Sequence, residues 1–396
     1  MPSRVILFGA FDRHNLGDLL FPHIAAALLP GQDLVFAGLA ERDLRPFGGH
    51  AVAALSRLAV EPPATLIHVG GEILTCTAWQ AAVMLLPPAQ LQPTIAYLEA
   101  RPAERDAFVR AWLGTEAQAP YVASRRRHAG LQRVIHASIG GVELDRADAA
   151  LRAEVLAALR EADAVAVRDS RTLAHLSAAG IPARLLPDPA VMVAVLFGDR
   201  IRARAGDGEV AQVRGAFAQG HLAVQFSADF VDDATLATMA AQLDVVAART
   251  GLGVVLFRAG AAPWHDDLAG LQRVAAGLRP GAVHVFASLD LWDLCALIAS
   301  SRGFCGSSLH GRIIASAFGL PRLNLRVPTA GGRAGKQAAC AATWDDSSGP
   351  AVVDVGDLAD GLQTALAATP ALLHRQAQRL AAAYRQGFAG LCAGLA

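Results

Sequence analysis

Cysteine is scarce and unpatterned: five residues, at 76, 295, 305, 340 and 392, form no CxxC pair and leave one over. That argues against a disulfide framework and fits a reducing, cytoplasmic setting. No His/Cys/Asp spacing of a zinc or magnesium cage occurs, so neither a metal nor another cofactor is expected. Long apolar runs are missing too. No window approaches the ~20 residues that span a bilayer, and the opening MPSRVILFGAFDRHNLGD is too short for a signal h-region and has no small-residue cleavage site behind it. Neither sign of charge is in excess: 35 Lys plus Arg balance 35 Asp plus Glu, which excludes nucleic acid as the default partner. A soluble protein is expected.

What is present is core. The 396 residues are 53% hydrophobic and 18% charged, enough for two domains with sizeable cores. Strand-like runs alternate with helical ones: Val5–Phe8, Asp33–Phe36, Thr65–Val69, Val134–Ser138, Ala164–Val167 and Ala183–Leu186 in the first half. In the second half come His221–Phe226, Gly253–Phe257, Val283–Phe286, Gly303–Cys305, Arg322–Leu325 and Ala351–Val353. This alternation implies an α/β fold of two Rossmann-like domains with parallel sheets and helices on both faces. The polar, glycine-containing stretch 196–213 reads as the interdomain linker. Domains are expected at 1–200 and 214–369, with 370–396 a helix that docks back on the first domain.

Candidate site residues sit where strands end, because ligands of open α/β sheets bind at the carboxyl edge. After the first strand come Asn15, Gly17 and Asp18, read either as turn and cap chemistry or as substrate contacts; GxGxxG spacing is missing, which disfavours a dinucleotide site. Gly70, Gly71 and Glu72 end the third strand; the glycines let a ligand approach the backbone, and Glu72 either orients a hydroxyl or caps a helix over 74–86. Arg168 offers a fork for a carboxylate or phosphate, unless Asp169 or Asp188 takes it as an ion pair. Arg125–Arg126–Arg127–His128 reads as a solvated face, or as a contact for an anionic acceptor. In the second half Ser227, Asp229 and Arg258 follow strands, and Gly331–Gly332–Arg333 forms a loop near the same rim. The organising stretch is FCGSSLHGRIIASAFGLPRLNL, 304–325: strand, turn, helix, turn, strand. It sets Ser307, Ser308 and His310 at a helix N-terminus, which attracts anions, or is simply a capped helix with a partly buried histidine. Arg375, Arg379 and Arg385 mark a solvated helix face, with membrane-surface contact the lesser reading.

NLGD after the first strand, the Gly-Gly-acidic tip, VRDS, PDP and SSLHGRIIASAFGLP, in this order over about 6–325, resemble the polysaccharide pyruvyl transferase family. The resemblance implies a GT-B-like fold with the site in a cleft between domains, and transfer of an enolpyruvyl-derived unit from phosphoenolpyruvate to a sugar, making a pyruvate ketal. It implies that His310 is the family's histidine and Arg168 its arginine; on the chemistry of that reaction His310 is the candidate general acid, cycling as base, and Asp18 the group that orients or deprotonates the acceptor hydroxyl. Acceptors are saccharides, lipid-linked ones included. Some members have an arginine before Leu-His; Ser308 stands there, so Arg312 or Arg258 is expected to supply the charge. Two alternatives stay open. One is a GT-B glycosyltransferase using a nucleotide sugar, although the stretch 309–328 lacks the acidic residue that class uses to hold ribose. The other is a non-catalytic glycan-binding protein on the same scaffold.

Overall fold

Val5–Phe8 is apolar without alternation because it is the middle of a parallel sheet covered on both faces. The computed structural model describes residues 4–58, 64–128, 130–230, 232–326, 335–346 and 349–395. Gly331–Gly332–Arg333 falls outside the described residues. The chain divides into two units, Met1–Pro189 with Ala383–Ala396, and Ala190–Ala382.

The first unit contains β1 (Arg4–Phe8), α1 (Leu16–Leu28), β2 (Asp33–Gly38), β3 (Arg42–Asp43), β4 (Ala51–Ala54), β5 (Ala64–His68) and β6 (Gly71–Glu72). Helices α2 (Ala78–Met84), α3 (Pro88–Ala100) and α4 (Arg105–Leu113) follow, then β7 (Leu131–Gly140), α5 (Ala149–Arg160), β8 (Ala164–Val167), α6 (Ser170–Ala178) and β9 (Arg184–Leu185). Strand order is β3-β4-β2-β1-β5-β7-β8-β9, with β6 added to β7. All of these pairings are parallel except β3 with β4. Ile6, Phe8, Leu66, Val134 and Val165 turn one sheet face to Leu151, Val155 and Leu159 of α5, which is the period-2 selection expected of strands.

The second unit contains α7 (Val193–Arg204), α8 (Gly208–Ala216), β10 (His221–Gln225), α9 (Asp233–Thr250), β11 (Gly253–Leu256), α10 (Leu268–Ala276), β12 (Val283–Val285) and α11 (Leu291–Ala299). It continues with β13 (Gly303–Gly306), α12 (Leu309–Ala317), β14 (Arg322–Leu325), α13 (Lys336–Trp344), β15 (Val352–Val353), α14 (Leu358–Leu366) and α15 (Pro370–Leu391). Its sheet is all parallel, ordered β12-β11-β10-β13-β14-β15. That is the 3-2-1-4-5-6 order of dinucleotide-binding folds, whose ligand crevice opens where the order reverses. Leu222, Val224, Val254, Leu256 and Leu323 pack with α9, α10 and α14; α7, α11 and α12 contact one another on the opposite face.

Several expectations are corrected. The stretch 196–213 is not a linker: α7 and α8 fill it, burying Val193, Ile201, Val210 and Val213. The second unit accordingly starts at Ala190 and runs to Ala382, so the unit boundary falls inside α15. Residues after it pack on the first unit: Tyr384 and Phe388 are buried, and Arg133 donates to the Ala393 carbonyl at 2.9 Å. The helix expected over 74–86 starts only at Ala78, and Thr77 with Gln80 forms its capping box. The cysteines form no disulfide, and among the described residues no helix is long and apolar enough to cross a membrane.

Candidate active site

Among the parallel strands of each unit the order reverses between β1 and β5 in the first and between β10 and β13 in the second. Each rim is built from loops that leave those strands.

In the first unit, Asn15 caps α1, its Oδ1 accepting from the Gly17 and Asp18 amides at 3.2 and 3.4 Å. The cap reading of Asn15 is thus observed, and Gly17 is an ordinary buried helical residue. Asp18 lies in the first turn, 3.9 Å from the Arg13 guanidinium. Gly70 and Gly71 have φ of +119° and +104°, a left-handed backbone that side-chain-bearing residues resist. A Cβ on Gly71 would lie 3.4 Å from Asp18 Oδ1, so the glycine tip of β5 and the NLGD turn are neighbours. Sequence reasoning missed a buried group just before the NLGD turn. Asp12, buried, accepts from the Leu39 and Ala40 amides at 2.6 and 3.2 Å and from the Tyr121 hydroxyl at 2.8 Å. Burial raises its pKa, against the pull of Arg13 and those hydrogen bonds. Arg13 donates to Tyr121 at 3.2 Å and lies over its ring.

Glu72 does not cap α2. Its Oε1 accepts from the Val142 amide at 2.9 Å and its Oε2 from Arg168 at 2.6 Å. Arg168 is 4% exposed and gives its other terminal nitrogen to Asp188 at 2.9 Å. The ion pair with Asp188 weighed from sequence is therefore present, and the PDP motif supplies its carboxylate. Asp169 is not the partner: it caps α6 through the Thr172 amide and hydroxyl at 2.7 and 2.8 Å. Arg125, Arg126 and Arg127 pair with Asp163, Glu161 and Glu154 at 2.8, 2.6 and 2.8 Å.

In the second unit the turn 306–308 is held from every side. Gly306 abuts the Gln225 carbonyl so closely that a Cβ there would collide with it, and Gly311 lies as closely on the Phe304 ring. These two glycines let β13 meet β10 and let the first turn of α12 settle on its own sheet. Ser308 caps α12, accepting from Gly311 at 3.1 Å, while its amide donates to Gln225 Oε1 at 2.7 Å. Ser307 Oγ accepts from the Ser227 amide at 2.9 Å, and Ser227 Oγ donates to Asp229 at 2.9 Å. Buried Asn324, on β14, donates to the carbonyls of Gly306 and Ser308 at 2.6 and 3.3 Å, and Gln337 to that of Ser307. His310 is half-buried in the first turn of α12. Arg258 follows β11 half-buried, its Nε without a partner.

Arg312 is not on the rim. It is 3% exposed and held by Asn324 Oδ1 at 3.1 Å and by Asp345, which also takes Arg322 at 2.8 Å. A helical residue two places after His310 points elsewhere around the turn, here inward. Asp266 was missed, having no strand or helix pattern around it. Its Oδ1 accepts from Gln225 Nε2 at 2.6 Å, and its Oδ2 from the Ala259 and Gly260 amides at 2.5 and 3.3 Å. Burial pushes this carboxyl up to about 7, against those hydrogen bonds and the charge of Arg258. Among the described residues no cluster of three or more His, Cys, Asp or Glu could hold a metal ion.

Residues 138–327 match the family model described as polysaccharide pyruvyl transferase. That span contains VRDS, PDP and SSLHG; NLGD lies before it. UDP-GlcNAc 2-epimerase from Neisseria meningitidis, solved with UDP-GlcNAc, is similar at 11% identity over 98% of this chain and 99% of its own, with a TM-score of 0.54. The trehalose-6-phosphate phosphatase N-terminal domain of Candida albicans is similar at 10% identity over 99% of both chains, TM-score 0.53. UDP-GlcNAc 2-epimerase of Methanocaldococcus jannaschii matches at 10% identity over 96% and 98%, TM-score 0.51. At such identities the likeness is one of fold, and that fold is the GT-B-like α/β class. No match is found among curated proteins. With its motifs in order and its segment 138–327 matched, the chain resembles the polysaccharide pyruvyl transferase family.

Proposed function

We propose that this protein transfers a pyruvyl group from phosphoenolpyruvate to a sugar of a polysaccharide or its precursor, forming a pyruvate ketal. The observation that carries the reading is that the matched span includes the turn Gly306–His310, set at the strand-order reversal of the second sheet. Phosphoenolpyruvate presents a phosphate and a carboxylate, which suit a helix N-terminus and a guanidinium. Ser307, Ser308 and the start of α12 are the first; Arg258, after β11 of the same unit, is a cation whose Nε has no partner among the described residues. Arg168 and Arg312 are each paired with internal carboxylates, so their contribution is to hold the strand tips that carry the site.

In this reaction the methylene carbon of the donor takes a proton, and a sugar hydroxyl adds to the neighbouring carbon and loses its own proton. Phosphate then leaves with the electron pair of its C–O bond, and a second hydroxyl of the sugar closes the ketal, releasing another proton. His310 is the proposed proton donor to the methylene carbon. Asp18 is the proposed group that orients the acceptor hydroxyl. The chemistry calls for no metal or other cofactor.

A thermal-shift titration tests the donor. A ligand at a hundred times its Kd stabilises the native state by about 2.7 kcal/mol. Phosphoenolpyruvate is expected to raise the Tm where a panel of nucleotide sugars does not. A shift with a nucleotide sugar and none with phosphoenolpyruvate would replace this reading with a glycosyltransferase.

A further inference from the structure

We propose that Asp266 is a positioning residue for the transfer reaction: through Gln225 it fixes the turn that carries Ser307, Ser308 and His310, and it does so as the carboxylate. The inference deepens the function proposed above and rests on it for its consequence, though not for its geometry.

Gln225, 2% exposed at the end of β10, has one amide and two neighbours that constrain it. Its Nε2 donates to Asp266 at 2.6 Å, and its Oε1 accepts from the Ser308 amide at 2.7 Å. An ionised carboxylate can only accept, so it requires the NH2 side of Gln225. The carbonyl side is then necessarily turned to Ser308, where a backbone N–H can only donate. The other carboxylate oxygen is occupied by the Ala259 and Gly260 amides, so a proton arriving at Asp266 finds no acceptor there and belongs on the oxygen facing Gln225. Two donors would then meet. Relief comes when Gln225 turns its carbonyl to Asp266, which sets its NH2 against the Ser308 N–H and leaves that amide without its acceptor. One proton on the loop after β11 is thus transmitted to the first turn of α12.

The burial of Asp266 sets the change near neutral pH. Arg258, on the same loop, favours the carboxylate. The loop also carries His265 and Asp267. Asp267 caps α10, its carboxylate accepting from the Ala269 and Gly270 amides at 3.2 and 3.0 Å. Among the described residues, other titratable groups at the strand ends of this sheet include exposed Asp229 after β10, His310 on α12, and Arg326 after β14, which pairs with Asp354 after β15 at 2.8 Å.

The test is amide NMR of the full-length protein from pH 5 to 9, with calorimetric titration of phosphoenolpyruvate alongside. The Ala259, Gly260 and Ser308 amides are expected to share one midpoint near neutral pH, and Asp266→Asn to abolish it at all three. In Gln225→Met, which serves also if the Asn variant does not fold, Ala259 and Gly260 still titrate while Ser308 falls silent. Phosphoenolpyruvate is expected to bind Asp266→Asn about tenfold more weakly than wild type at pH 8, the worth of one misplaced hydrogen-bonding group, with the two converging at pH 5.5. A Ser308 amide that does not move, or that titrates unchanged in either variant, overturns the proposal. Coupled amides in a protein that binds no phosphoenolpyruvate at any pH would uphold the linkage and sink the transfer reading instead.

Discussion

Acidification should destabilise the first unit through two histidines in its core. His68 on β5 and His136 on β7 are in register, fully buried, with ring centroids 6.0 Å apart. Burial holds His136 at about 4, and burial together with His136 holds His68 well below its ordinary 6.5. Above pH 6.5 both rings are neutral whether folded or not, and nothing is lost. As pH falls through 6.5 the unfolded chain takes up protons that the folded chain refuses, so stability declines until the folded values are reached. Between pH 7.5 and 5 the loss comes to about 2 kcal/mol for each ring, large beside a total of roughly 5–15 kcal/mol. Urea unfolding at pH 7.5, 6 and 5, followed by hydrogen exchange of the β5 and β7 amides, measures it. His136→Gln removes one titrating ring and should flatten the pH dependence by about 2 kcal/mol, whatever it costs at neutral pH. Equal slopes in wild type and variant would refute the reasoning.

Asp345 sits between Arg312 and Arg322, all three nearly buried. Asp345→Ala should therefore cost roughly 3–5 kcal/mol by stranding two guanidinium groups, while replacing all three by apolar residues of similar volume should cost far less; denaturant midpoints compare them. Gly306→Ala drives a methyl into the Gln225 carbonyl, and backbone cannot yield there. A loss of more than about 2 kcal/mol is expected by the same measurement.

The strands were legible because parallel sheets covered on both faces are written as unbroken Val, Ile and Leu runs, as in Val5–Phe8 and Val254–Leu256. Edge strand β3 and its neighbour β4 were not, β3 being two exposed residues and β4 four with only alternate ones buried. Helices α7 and α8 hid behind arginines and glycines, since few of their residues face the core. Thr77 and Gln80 did write a capping box into the sequence, and Glu72, five residues earlier, was the wrong residue to read as the cap. In the candidate site, the turn around His310 was visible as a motif. Most of its supports were not: Gln225, Asp266 behind it, and Gln337 come from three other segments, while Asn324 reaches it from the strand that ends the same stretch. Tyr121 likewise meets Asp12 across 109 residues. Such pairings depend on topology, which no local pattern encodes.

Phosphate release from phosphoenolpyruvate in the presence of saccharide acceptors, with the mass of the product determined, tests the central claim most directly. The account predicts acceptor-dependent release, a product heavier by one pyruvate ketal, and a loss of about a hundredfold or more in a folded His310→Ala variant. Turnover that survives in that variant, or a product heavier by a hexose, would contradict it.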